Sequence, residues 1–553
     1  MHRLLATAVI CLSAALLTTA TAEELVSPDV MRQLGLEQAW ARPIPAPYGA
    51  KSIVDQKLFV HQANPREYVE IVMVPPKDDS EPASGGTGDA AAGSSPDSGS
   101  ASTADPNPSA GDSEPKVLAR IAADQINAAG RPIGRKEAER LANNQIRRLK
   151  RRGIDAKTSV RTVPRIHLYS ISSDGSLECR DAETGQPIWL ITLGDPRLPY
   201  MELGVGEKFV TVINSANLYQ VDATTGEIIA NFQMPGTPAY GATNAGDYVT
   251  IPMVGGGVQS YPLVDTTIDP SLARVEGAAL TLPTKSPDSS RTAWSTDRGF
   301  VYVMEMLGTP SMLFRLKTDG IVSGRLAAAT GDRFYFGSES GQVYGMRATR
   351  SGRVMWSTPL GEPFYNGPLV FEDEVMLRST YGNLFALSLE DGHLMWPRPV
   401  PSVGELIGVL GGQLYATTLS GGLTVIDAKT GGRVASYPNV RPADFITNTL
   451  TDRIYLVSES GDVQCLRREG AELPKLIRQP DANPLTEDEE GEPERQPEET
   501  PFGGAMDPFG ESTTDPFGGG GADPFGGGDG APMDPFGGGD AGDDPFGGNP
   551  FGN

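Results

Sequence analysis

Arg333-Phe-Tyr-Phe-Gly-Ser-Glu-Ser-Gly341-Gln-Val-Tyr-Gly-Met346, closed by Ser351-Gly352 and Met355-Trp356, is the stretch on which the fold turns. An alternating run, a Ser-x-Gly turn, a second alternating run and a Gly then Trp close one unit, and the unit recurs about every 40 residues between Ile166 and Leu466. Ile166–Ser170 leads to Asp174-Gly175, Leu177–Asp181, Thr184-Gly185 and Trp189. Glu374–Leu377 leads to Tyr381-Gly382, Leu384–Leu387, Asp391-Gly392 and Trp396. Gln413–Thr417 leads to Gly421-Gly422, Leu423–Asp427 and Thr430-Gly431. A self-similar period of this length belongs to a propeller or solenoid. The glycines supply the backbone conformation that tight hairpins need, and the aromatic and β-branched runs between them read as strands.

Two hairpin turns join three strands, and the lead-in to the next unit supplies a fourth, making one blade. The first turn of each unit falls at 175, 217, 257, 308, 341, 382, 422 and 461, the weak copies being Ala216-Asn217, Gly256-Gly257, Gly308 and Ser460-Gly461. The expected fold is all-β, a β-propeller of eight four-stranded blades, with seven as the alternative. The 257 to 308 interval is too long and the next too short, so one hairpin there is displaced or carries an insertion. A lone blade leaves two faces and an edge open, and only the closed ring buries them.

Asp181-Ala-Glu-Thr184-Gly185-Gln-Pro-Ile-Trp189, echoed at Val221–Gly226 and Ile426–Gly431, resembles the repeat of the pyrroloquinoline-quinone-like propeller superfamily. The resemblance covers roughly residues 160–470. It implies that tryptophans 189, 356 and 396 dock between neighbouring blades, with Gly185, Gly226, Gly352, Gly392 and Gly431 turning the chain beside them. The superfamily holds quinone dehydrogenases, a propeller lipoprotein of outer-membrane assembly and other envelope proteins, so the fold leaves the chemistry open.

Met1-His2-Arg3, the apolar run Leu4–Leu17 and Ala20-Thr21-Ala22 have the three parts of a secretory signal peptide over residues 1–22, so the protein is expected to be exported, periplasmic or extracellular. Ile10 before Cys11 departs from a lipoprotein signal. No other stretch is long and apolar enough to span a membrane. Cys179 and Cys465 hold the same place in their repeats, which ring closure would make neighbours. Two buried free thiols are expected, and a disulfide fastening the ring is the alternative.

Residues 23–75 contain Leu34–Trp40, read as a short helix or entry segment, and strand-like runs at Ser52–Val54, Lys57–Val60 and Tyr68–Val74, expected to pair with the propeller. Residues 76–115, rich in Ser, Gly, Ala, Asp and Pro, read as a disordered linker. Residues 116–157 read as a basic helical insertion: Lys116–Ala129 and Arg135–Arg152 form helices around the Gly130-Arg-Pro132 break. Arg135, Lys136, Arg140, Arg147, Arg148, Lys150, Arg151 and Arg152 face only Glu137 and Glu139. No aromatic residue interleaves them, so a solvated amphipathic helix is expected and nucleic acid is not a partner. The propeller proper spans 158–478.

The tail, 479–553, reads as disordered. From Asp481 onward it holds 18 Asp plus Glu against Arg495, most of the chain's net charge of −24. Its unit is Pro-Phe-Gly, and the single aromatics Phe502, Phe509, Phe517, Phe525, Phe536, Phe546 and Phe551 are candidate tail interaction residues. Several weak stickers on one tether gain effective concentration.

Chemistry is sparse. The histidines (His2, His61, His167, His393) show no ligand spacing, and no phosphate loop, nucleophile elbow or dinucleotide fingerprint is present. No Cys-Cys pair exists, so pyrroloquinoline quinone is not an expected cofactor, and no catalytic, cofactor or metal residue is assigned. The expectation is a non-catalytic binding scaffold of the cell envelope whose partners are envelope proteins or outer-membrane clients. The alternative is a quinone- or small-ligand-binding redox enzyme using the central channel.

Overall fold

The structure, a computed structural model, describes residues 24–74, 116–127 and 131–477. The segments expected to be a leader (1–22), a linker (76–115) and a tail (479–553, with its phenylalanines) lie outside the described residues.

The described chain forms a β-propeller, its strands gathered into eight antiparallel sheets. We number them I to VIII by their place along the repeats. Sheet I contains β2 (Ile53–Met73), β3 (Val117–Ala122), β4 (Ala156–Ser172), β5 (Ser176–Asp181) and β6 (Pro187–Thr192), in the order β3-β2-β4-β5-β6. Sheets II to VII occupy 204–233, 243–273, 284–317, 327–359, 369–388 and 403–437, each a simple meander. Sheet VIII takes its first three strands from Asp444–Ile446, Ile454–Val457 and Asp462–Arg468. Its outermost strand is β1 (Leu36–Pro43), from the other end of the chain.

Burial follows from this stacking. Middle strands such as Tyr248–Pro252 and Arg333–Gly337 are buried on both faces because each sheet is packed between two others. Outer strands such as β6 are mostly exposed. Eight apolar clusters occupy the eight junctions between consecutive sheets. One of them joins sheet VIII to sheet I through Trp40, Tyr455 and Cys465 against Ile166, Leu168 and Ala182. That junction and the β1 pairing hold the ring shut without a covalent bond. Cys179 and Cys465 are both buried and unbridged.

The irregular spacing in the sequence has a simple origin. Gly308 lies between the third and fourth strands of sheet IV, Phe300–Glu305 and Ser311–Lys317. The turn equivalent to the other marks is at Gly299, with φ +70°, which restores 42 residues on either side. In sheet II the left-handed residue is Ser215, not Asn217. Sheet VI has only three regular strands. The segment after it meets the edge through two isolated bridges, Leu387–Leu394 and Leu384–Val400, because Pro397 and Pro399 have no N–H to continue a ladder.

The insertion departs further from expectation. Leu36–Pro43 is strand, and the short helix, α1 (Pro28–Gln33), precedes it. Val117–Ala122, expected helical, is β3. The reason is β2, which continues to Met73 alongside β4 and would leave a bare edge beyond the ring; β3 pairs with that edge from Tyr68 to Val72. One helix remains, α2 (Gly134–Lys150), whose Ala138 and Ala142 cover Val69 and Ile71. The result is a three-stranded, one-helix outgrowth continuous with sheet I.

Junction glycines give a direct stability test. Gly392 has φ +69°, and a Cβ there would lie 2.3 Å from the Trp356 ring. Gly361 has φ +75° with open space around it. Gly361→Ala is expected to cost about 1–2 kcal/mol for the left-handed backbone, and Gly392→Ala about 1–3 kcal/mol more for overpacking. Urea midpoints of the two variants give the difference, and equal midpoints would refute the docking argument.

Candidate functional site

The expected docking residues sit at the sheet junctions. The Trp189 indole donates to the Ala223 carbonyl at 3.1 Å, Trp356 to Leu389 at 3.2 Å and Trp396 to Ala428 at 2.9 Å, each in the following sheet. Their rings lie over Gly226, Gly392 and Gly431. Gly185 is covered by Trp40, whose indole donates to Ala182 at 2.9 Å, and Gly352 by Phe314. These residues are fully occupied with holding sheets together, so recognition has to be sought on the faces of the ring.

One face is shaped by the outgrowth. Hairpins joining first to second strands, and third to fourth, all open on the side where β2 leaves sheet I. Between the outgrowth and these hairpins lies a cleft of about 960 Å³. Arg120 on β3 and Arg161 on β4 line it from the outgrowth. Both are directly opposite β2 residues of one face, Glu70 and Tyr68, whereas Val69 and Ile71 face α2. Helix and cleft therefore occupy opposite sides of the same small sheet.

The propeller side of the cleft carries Glu372, Asp373 and Glu374 at the first hairpin of sheet VI, Arg468 on the last strand, and apolar surface from Phe371, Met395 and Ile477. Glu372 adopts φ +46° to make the turn. Burial, with Asp373 and Glu372 alongside, pushes the Glu374 carboxyl up to about 7. The chain's last described segment, 469–477, also lines the cleft. Lys475 N–H donates to Asp452 Oδ1 at 2.8 Å, and Glu472 pairs with Arg120. Arg120 also binds Glu70 at 2.8 Å. Mixed charge around an apolar floor suits a polypeptide with both kinds of side chain more than a single small anion.

No local pattern in the sequence marks this cleft, because its two walls come from positions more than 200 residues apart. The same holds for a histidine pair at the base of the outgrowth. Pairing of β2 with β4 brings His61 against His167 in a tilted contact, ring centroids 4.4 Å apart, although the two are remote in sequence. His61 Nε2 and His167 Nδ1 lie 3.1 Å and 3.3 Å from the Tyr169 hydroxyl. Burial, then the neighbouring His61, lowers His167 to about 4. Burial also lowers His61 against the opposing pull of Glu207. His393 is exposed and paired with Asp391 at 2.6 Å. Among the described residues, no cluster of three or more His, Cys, Asp or Glu is placed to hold a metal.

The middle of the ring is charged. Asp55 and Lys57 on β2 are 3.3 Å apart, Lys57 Nζ donates to the Leu203 carbonyl, and Leu203 N–H donates to Asp55 at 2.8 Å. Burial lowers the Lys57 ammonium, with Asp55 opposing. Arg325, just before sheet V, is also lowered by burial, with Asp55 and Glu202 opposing. These groups tie first strands to one another.

Residues 284–473 match the family model described as outer membrane protein assembly factor BamB. That match spans sheets IV to VIII and supports the resemblance of the repeats to those of the pyrroloquinoline-quinone-like propellers. The propeller is similar to the crystal structure of BamB from Moraxella catarrhalis, at 15% identity and a TM-score of 0.44, over 54% of this chain and 93% of that one. It is also similar to Sqt1 of Saccharomyces cerevisiae, at 11% identity and TM-score 0.42, over 54% and 92%. A third likeness is to the dihydro-heme d1 dehydrogenase NirN, at 15% identity and TM-score 0.39, over 49% and 63%. No curated protein sequence matches the chain. No helix among the described residues is long and apolar enough to cross a membrane.

Proposed function

We propose that the protein is a non-catalytic, protein-binding scaffold of the cell envelope, exported by the leader at 1–22. The observation that carries this reading is the cleft between the outgrowth and the propeller, with Arg120 and Arg161 facing Glu372–Glu374 across apolar surface. Recognition loops on a rigid frame are the usual division of labour in such folds. The match to the outer-membrane assembly factor model supports protein partners, with envelope proteins or outer-membrane clients as the class. The tail phenylalanines, from Phe502 to Phe551, add weak contacts that gain from being tethered together.

The test is crosslinking in the native host followed by purification of the full-length protein beside Arg120→Glu/Arg161→Glu. Envelope proteins are expected to crosslink to the parent and to fall at least fivefold in the variant. A quinone-type absorbance band or a stoichiometric metal in the purified protein, with turnover of alcohols or sugars, would replace the scaffold reading with the redox one.

A further inference from the structure

The far end of the outgrowth concentrates positive charge. Helix α2 starts at the base, where Gly134 N–H donates to the Ala123 carbonyl near the point at which β2 leaves the ring, and it runs outward from there. Its last turn and the turn after it, Arg147-Arg-Leu-Lys-Arg-Arg152, hold five cations. The chain then enters β4 beside the end of β2: Val74 N–H donates to the Asp155 carbonyl and Met73 N–H to that of Lys116, each at 2.9 Å. Three segments thus bring the five cations, Lys116 and Lys157 to one end, and all of them are exposed. None makes an ion pair with another described residue, whereas Arg135 and Arg140, nearer the base, are paired with Glu139 and Glu137. Residues 147–157 contain a single carboxylate, Asp155.

The helix dipole favours cations in a last turn and accounts for one or two of these, not for a group gathered from three segments. This end also projects. From Arg66 to Met73, β2 runs about 23 Å beyond the ring at the usual rise of a strand. That is about three screening lengths at physiological salt, so the negative charge of the ring scarcely reaches the tip. The chain's net charge of −24 is therefore no bar to an anionic partner at this one place. Successive helical residues turn by about 100°, so the cations spread round a protruding end instead of lining a groove. Residues 134–157 hold no aromatic ring on which a base could stack. Val74, exposed and apolar, lies at the same end. A convex tip with many flexible cationic arms suits a flat anionic surface.

We infer that this end binds the surface of an anionic phospholipid bilayer, its cations meeting headgroup phosphates while the outgrowth stands between membrane and ring. The contact is electrostatic, superficial and reversible. It holds the cleft within about 25 Å of the bilayer, the length of the 17-residue α2. It does not depend on what the cleft binds. Residues 75–115, which join β2 to β3 at this end, add eight carboxylates and Lys77 by sequence, so the test uses the full chain.

Flotation of the full-length protein with phosphatidylcholine vesicles containing about 30% phosphatidylglycerol, at about 0.1 M salt, is the test. About tenfold more protein is expected on these vesicles than on pure phosphatidylcholine, and the excess should vanish in about 1 M salt, where the screening length shrinks to about 3 Å. The variant Arg147→Gln/Arg148→Gln/Lys150→Gln/Arg151→Gln/Arg152→Gln should reduce binding to the anionic vesicles about tenfold. Its five positions are exposed, and an unchanged urea midpoint would confirm that it folds. The variant Lys51→Gln/Arg197→Gln/Arg298→Gln/Arg398→Gln/Arg441→Gln removes the same charge from exposed positions elsewhere and should bind within about twofold of the parent. Equal binding to both kinds of vesicle, or equal losses in the two variants, would overturn the inference. Retention on duplex DNA at about 0.1 M salt without vesicle binding would overturn it too, and would assign the tip to a nucleic acid.

Discussion

A chain that begins at Ile44 is expected to turn Cys465 from an inert thiol into one that reacts with a disulfide reagent within seconds. In the intact protein Cys465 is fully buried on the last strand, directly opposite Trp40 of β1. Burial holds its thiol far above the ordinary range, so almost no thiolate forms. Removing residues 24–43 takes away β1, the Trp40 ring over Gly185, and the packing of Val26, Met31 and Leu36 on sheets VII and VIII. At roughly 1.5–3 kcal/mol for each buried apolar side chain, the loss is on the order of 8 kcal/mol, comparable with a domain's whole stability. The ring therefore opens between sheets VIII and I, which in the truncated chain no peptide segment joins. Trp40→Ala alone should cost about 3–5 kcal/mol. Trp189→Ala, away from the β1 seam and with its indole only half-buried, should cost less. Cys179, buried at the same repeat position in sheet I with its thiol pushed up to about 12, serves as the internal reference. Cys465 remaining unreactive in the truncated protein would show that β1 decorates the ring without closing it.

The periodicity of glycine and tryptophan was enough to read the propeller and its repeats, because each unit is a local meander and the turn residues mark it. Gly308 misled for a local reason: it is also a hairpin glycine, one strand further on, and spacing alone does not distinguish the two turns of a unit. What local patterns do not reveal is pairing between distant segments. Val117–Ala122 has the composition of a helix or a strand, and the free edge of β2, some 45 residues earlier, decides between them. Trp40 belongs with Trp189, Trp356 and Trp396 by geometry, yet the remainder of its sheet follows more than 400 residues later. The cleft and the histidine pair are products of the same long-range pairing, so the residues with the most unusual surroundings were those that no local pattern marked.

The paired histidines carry the second large effect, a loss of stability on mild acidification. His167 has an ordinary value of 6.5 and is lowered to about 4 in the folded protein, chiefly by burial and then by His61. Between those values the unfolded chain binds a proton that the native state refuses. Stability is therefore complete above pH 6.5 and falls as the pH drops toward 4, by about 3 kcal/mol when each pH step between the two values contributes about 1.36 kcal/mol. His61, also lowered, adds in the same direction. Glu374 acts oppositely: with its carboxyl raised to about 7, it takes up a proton on folding and favours the native state at low pH, a contribution lost as the pH rises through 7. The two slopes partly cancel between pH 4.5 and 6.5, so the parent protein alone does not display either. Urea titrations of His167→Gln against the parent at pH 7, 5.5 and 4 separate them, and the variant should gain relative stability as the pH falls. Parallel curves would show that His167 reaches a proton without cost. The strain of protonation has a specific place to go. His61 lies 3.5 Å from Glu207, and the same carboxylate accepts from Ala63 N–H at 3.0 Å in the bulge where β2 leaves the ring. Arg66 and Arg165 are joined to Asp124 and Asp181 alongside, so those two carboxylates are already matched. Two imidazoliums 4.4 Å apart would share only Glu207 and repel at the base of the outgrowth, so acid should loosen the roof of the cleft before it opens the propeller.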